Sequence, residues 1–102
     1  MTSQGNGQPV RYSVSMSQQT RAAVKDLHAR TAQAGRGSEF VAAFRQIVER
    51  LRADPWNFGE PLYRLPALNL LVCQGAISGV IVDFAVHENL PIVLIREVRT
   101  LS

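Results

Sequence analysis

The sequence predicts an α+β fold. One strand precedes an antiparallel helical hairpin, and a three-stranded antiparallel meander follows, giving one four-stranded sheet with element order β-α-α-β-β-β. Three observations predict it. Val10, Tyr12, Val14 and Met16 alternate with Arg11, Ser13 and Ser15, the period of a half-buried strand. Phe40, Phe44, Ile47, Val48 and Leu51 fall at i, i+4, i+7, i+8 and i+11, one face of a helix. From Leu68 onward, three apolar runs are divided by Gly75 and Gly79 and then by Glu88-Asn89-Leu90-Pro91.

Residues 1–9, rich in Gly, Gln, Ser and Asn, carry too little apolar surface to offset the entropy of ordering and read as a disordered tail. Residues 10–102 then form a single domain, since a chain of 102 residues is too short for two independent cores. After the first strand, Ser17 is placed to cap a helix running from Gln18 to about Ala34, with Ala23, Leu27 and Ala34 on its apolar side beside Thr20, Val24 and Thr31. Arg21, Lys25 and His28 form a basic stripe on another flank. Such a stripe meets phosphate in some proteins but is more commonly a solvated face, here with an Asp26–Arg30 pair.

Gly35 and Gly37 end that helix, and Ser38 is expected to cap the second. Asp54-Pro55 stops the second helix because a residue before proline avoids the α region. The connector beyond it contains Trp56, Phe58, Leu62, Tyr63 and Leu65. Trp56 or Phe58 is expected to anchor it in the core, the alternative being a platform on which bases stack. Strands are expected over Leu68–Gln74, Val80–His87 and Ile92–Arg99. Both faces of the middle one are apolar, which suits a central position or a sheet with helices behind and a partner in front.

Composition excludes several classes of function. Apolar content of 46% fits a globule, and no apolar run nears the roughly 18 residues of a membrane helix, so a cytoplasmic location is the default expectation. The net charge of +3 permits, without requiring, contact with nucleic acid or an acidic partner. The lone Cys73 cannot form an internal disulfide and fits a reducing compartment. Two separated histidines and one cysteine make no metal site, and Gly35-Arg36-Gly37 lacks the spacing of a phosphate loop, so no cofactor is expected. Cys73 with His87 has no third residue to orient it as a nucleophilic pair. The remaining polar groups on or beside the strands are Arg64, Asp83, His87, Glu88, Arg96, Glu97 and Arg99. Arg96 and Arg99 have opposite parity on the last strand and share a face only if that strand is twisted or bulged.

Tyr12-Ser13-Val14-Ser15-Met16-Ser17, the connector Arg52-Ala53-Asp54-Pro55 with Gly59-Glu60-Pro61-Leu62, and the closing strands Val80–Val86 and Ile92–Val98 together resemble the RelE/ParE toxin superfamily over residues 12–98. The chain departs from the family pattern at Phe84, where tyrosine is common, and at Ile81, where an arginine is expected. Leu70, Val72 and Cys73 replace a basic strand, and Leu101-Ser102 replaces a polar terminus. The resemblance implies the toxin-like component of a type II toxin–antitoxin module, neutralised by an antitoxin protein. For a ribosome-dependent mRNA endonuclease it assigns catalysis to His87, Glu88 and Arg96, and phosphate contact to Arg64, Arg96 and Arg99. The alternative is a non-catalytic binding domain of the same fold, acting on DNA gyrase or serving as a non-toxic interaction module, with a homodimer through the sheet as a further expectation.

Overall fold

A computed structural model describes residues 10–101; the expected tail, residues 1–9, lies outside the described residues. The elements run β1 (Ser13–Met16), α1 (Gln18–Gln33), α2 (Gly37–Ala53), a 3-10 turn Pro55–Asn57, β2 (Glu60–Leu65), a second such turn Pro66–Leu68, β3 (Leu70–Ile77), β4 (Val80–His87) and β5 (Ile92–Thr100). One sheet of order β1-β5-β4-β3-β2 holds the five strands of the described residues. The expected α+β class and element order stand, but the sheet has five strands rather than four. The added one is the connector segment, whose apolar residues pair along β3 from Glu60↔Gln74 to Leu65↔Leu70.

β1 joins β5 in parallel, Ser13 opposite Ile92, and every other pairing is antiparallel. β4 is central, as its two apolar faces predict. Val80, Val82, Phe84 and Val86 point toward the helices and are at most 3% exposed. They meet Leu27 of α1 and Phe40, Ala43, Ile47 and Leu51 of α2, so the i, i+4, i+7 pattern of α2 is the stripe that the sheet buries. The face of the sheet away from the helices carries a smaller cluster of Leu70, Val72 and Ala85, with Leu65 packed against it.

The helix ends follow local chemistry. The Ser17 hydroxyl accepts from the Thr20 N–H at 3.0 Å and caps α1. Ser38 does not cap α2: the helix begins two residues earlier than such a cap would place it, at Gly37, with Arg36 at the cap position and no side-chain bond. The cause is close packing, since a Cβ on Gly37 would lie 2.9 Å from that of Ala32. That contact fixes the hairpin geometry before Ser38 is reached.

Phe58 is the anchor of the connector. It is 5% exposed, stacks on Phe84 at 5.8 Å between centroids, and lies under the Arg50 guanidinium at 4.9 Å. Trp56 stays 43% exposed and donates its indole N–H to the Tyr12 hydroxyl at 2.9 Å, tying the connector to the first strand.

Two measurements follow. Gly59 and Gly35 both have positive φ, +84° and +81°, but a Cβ on Gly59 would lie 2.3 Å from the Gln74 carbonyl oxygen whereas one on Gly35 meets nothing within 4 Å. Gly35→Ala is expected to cost about 1 kcal/mol of strain, and Gly59→Ala roughly 2–4 kcal/mol because the backbones of β2 and β3 must part. Urea denaturation of the two variants checks this. Burial pushes the Cys73 thiol up from its ordinary value. The folded chain holds this proton more tightly than the unfolded one, so its stabilising contribution is complete below the ordinary thiol pKa and is lost as pH rises through the higher folded value. Alkylation at neutral pH is expected to proceed only as fast as the chain opens; rapid labelling of native protein would contradict the burial.

Candidate functional site

The face of the sheet that the helices leave open holds most of the polar groups singled out in the sequence. One row of residues crosses all five strands on it: Tyr63, Val72, Ala85, Leu94 and Ser15, each the register partner of the next. Two bulges interrupt the ladders beside this row. β2 shifts register between Pro61 and Tyr63, leaving Leu62 unpaired, and β5 carries an extra residue, Arg96, between Ile95 and Glu97. The carbonyl of Arg96 accepts the Thr20 hydroxyl at 3.4 Å, which links the bulge to the start of α1.

The β5 bulge settles the parity of the two arginines. Val93 and Ile95 face the core, Arg96 and Glu97 are both exposed, and Val98 again packs on the core. Arg96, Glu97 and Arg99 consequently share the open face, because one inserted residue reverses the alternation beyond it.

The Arg96 guanidinium donates through Nη1 to the Tyr63 hydroxyl at 2.9 Å. Their backbones lie on strands separated by β4 and β3, and the small Ala85 and Val72 between them let the two side chains meet overhead. Among the described residues no helix covers this face, yet Ala85 is 0% and Val72 2% exposed. Leu62, Tyr63, Val72, Asp83, Arg96 and Glu97 line a hollow of about 240 Å³ here. Tyr63 was not among the residues singled out from sequence. Its only signal there was an aromatic ring in an apolar connector; the bulge that aims it is a tertiary feature.

The other candidates lie elsewhere on the sheet. Arg64, opposite Leu71 and Val86 and so on the helix side of the edge strand, pairs with Glu88 at 2.8 Å, joining β2 to the residue that follows β4. His87 folds back on the turn after β4, its Nδ1 accepting the backbone N–H groups of Asn89 and Leu90, both at 3.0 Å. That leaves Nε2 as the nitrogen able to exchange a proton with a ligand. Arg99 stands opposite Ile81 and reaches Asp83 at 3.8 Å, while Asp83 also accepts from Gln74 at 2.9 Å. Six residues of β4 separate the Arg99 level from His87, about 20 Å at the rise of a strand. The structure thus brings Arg64 to Glu88 and sets Arg96 between Arg99 and His87, without gathering all five into one cluster.

A second surface lies on the helices. Val24, Phe40, Val41, Phe44 and Val48 form an apolar groove of about 350 Å³ rimmed by Lys25, His28 and Arg45. His28 stacks on Phe40 with centroids 5.9 Å apart, so the basic stripe of α1 borders the groove. Among the described residues no three His, Cys, Asp or Glu side chains are grouped to hold a metal ion, and no helix is long and apolar enough to cross a membrane.

No known family model matches the chain, and no curated protein sequence does either. Among solved structures, the archaeal RelE–RelB complex from Pyrococcus horikoshii OT3 contains a chain with which this one shares 18% identity at a TM-score of 0.54. The match covers 88% of this chain and 94% of that one, so it spans the helical hairpin and the sheet together. At that identity the likeness concerns architecture: this chain has a RelE-like fold.

Proposed function

We propose that this protein is the toxin-like component of a type II toxin–antitoxin module, that a small antitoxin protein restrains it, and that its open sheet face acts on messenger RNA at the ribosome. The observation that carries the reading is Arg96. It is a guanidinium on a bulge of the last strand of a RelE-like fold, beside a hollow, and its hydrogen bond to Tyr63 leaves most of its N–H groups open to a phosphate oxygen. Asp83 and Glu97 line the same hollow and His87 offers Nε2 at one end of the strand, so groups for proton transfer lie on the same sheet. Arg99 joins on the same face by exchanging Asp83 for RNA, and Arg64, on the edge strand at the level of Leu71, joins by exchanging Glu88. Partly exposed ion pairs of this kind, near the surface, are worth only about 1 kcal/mol, so the exchange costs little.

An antitoxin as partner is supported by the solved neighbour, which is a RelE–RelB complex. The helical groove adds to this, because an apolar trough with a basic rim suits an amphipathic segment bearing carboxylates.

A second reading, a non-catalytic binding domain, is favoured by a separate observation. Arg64 and Arg99 are already ion-paired, and Leu62, Tyr63 and Leu94 stand exposed on or beside the row that crosses the open face. Exposed apolar side chains there suit a protein surface, whether DNA gyrase, another macromolecule or a second copy of the chain.

Expression from a tightly controlled promoter in a bacterium tests the two together. Growth arrest with cut messages, relieved at least tenfold in plating by Arg96→Ala, is the expected result. Arrest with altered DNA supercoiling and intact messages would transfer the assignment to the second reading, and unimpeded growth with abundant folded protein would contradict toxicity.

A further inference from the structure

The contact between Tyr63 and Arg96 joins strands at the second and fifth places in the chain, and two bulges produce it. A regular β2 would not have the register shift at Leu62, and a regular β5 would have no extra residue at Arg96. An arginine side chain in solvent spreads over many rotamers, and holding it in one geometry costs entropy. Here the cost is met in the unliganded fold, because the Tyr63 hydroxyl takes one N–H of the guanidinium at 2.9 Å while Val72 and Ala85 support it from below. Tyr63 is 49% exposed, so its ring is not required to fill a core. The Thr20 hydroxyl on the Arg96 carbonyl holds the backbone of the same residue. Side chain and main chain are both fixed at the one guanidinium on the open face that has no carboxylate partner among the described residues.

We propose that Tyr63 is a positioning residue for Arg96, holding its guanidinium over the row Val72–Ala85 so that the remaining N–H groups receive one phosphate of a single-stranded RNA. The inference rests on the RNA-directed reading above and deepens it. Tyr63 itself acts through Arg96, its hydroxyl oxygen accepting the N–H of Nη1, and makes no contact with the phosphate. Preorganisation of this kind raises affinity by removing an ordering cost and adds no new charge. Removing the hydroxyl therefore weakens binding without changing how many counterions binding releases.

The test is the binding of a fluorescently labelled single-stranded RNA oligonucleotide to the full chain across a salt series, with thermal unfolding as a control for folding. Tyr63→Phe keeps the ring and removes only the hydroxyl. It is expected to weaken binding roughly tenfold, in line with a hydrogen bond to a charged group, with the slope of log affinity against log salt unchanged. Arg96→Ala is expected to weaken binding and to reduce that slope by about one phosphate contact. In the Arg96→Ala background, Tyr63→Phe is expected to add nothing. A Tyr63→Phe effect that persists there, an unchanged affinity, or a wild-type chain that does not bind the RNA would each overturn the proposal. Growth arrest with cut messages, alongside RNA binding indifferent to Tyr63, would overturn this inference and leave the assigned function standing. RNA binding with the expected coupling, but no arrest, would do the reverse.

Discussion

The contact on which the rest of this structure depends is the Phe58 ring lying on Gly75. A Cβ at Gly75 would sit 2.7 Å from that ring, so β3 must present bare backbone at this level. Phe58 in turn rests on Phe84 of the central strand and under Arg50 of α2, joining helix, connector and sheet through one side chain. The next residue, Gly59, turns with positive φ against the Gln74 carbonyl, and β2 starts after it with Glu60 as the partner of Gln74. Everything about the edge strand follows from that starting point: its pairing with β3, the bulge at Leu62 and the side of the sheet on which Tyr63 emerges.

The two faces of the sheet then do different work. The helix-covered face is a conventional core, in which burial of Phe84, Ile47, Leu51 and their neighbours supplies about 1.5–3 kcal/mol for each large side chain. The open face has no such cover and shelters its small central residues beneath Tyr63 and Arg96. Its Arg99–Asp83 pair is long, at 3.8 Å, and partly exposed, so water and salt weaken it. A fold with one rigid face and one lightly held face can exchange partners on the second without paying in stability on the first. Asp83 and Glu97 stand directly opposite each other on neighbouring strands, an arrangement of like charge that is unfavourable alone and is relieved where Arg99 reaches Asp83.

Much of the fold was legible in the sequence because periodicity reports burial directly. The stripe of α2, the Ser17 cap, the alternation of β1 and the doubly apolar β4 all follow from spacing. The fifth strand was not legible: Glu60–Leu65 contains Pro61 and lacks clean alternation, since its bulge breaks the period and its exposed side chains lack a core face. Ser38 misled for a related reason, as the Gly37–Ala32 approach, a tertiary contact, decides where α2 begins. At the site, charge and strand position were enough to single out Arg64, His87, Glu88, Arg96 and Arg99. Their separation along β4 and their ion pairing depend on register. Tyr63 was hidden because nothing local to β2 indicates that an arginine more than thirty residues later will be brought to its hydroxyl.

We propose the open face, organised by Tyr63 and Arg96, as the working surface of this RelE-like fold. Backbone amide shifts of isotopically labelled protein, followed while a single-stranded RNA oligonucleotide is added, test it most directly. The changes are expected to concentrate at Tyr63, Val72, Ala85, Leu94 and Arg96, with α1 and α2 quiet. Changes confined to the helical groove around His28 and Phe44, or none anywhere, would contradict it.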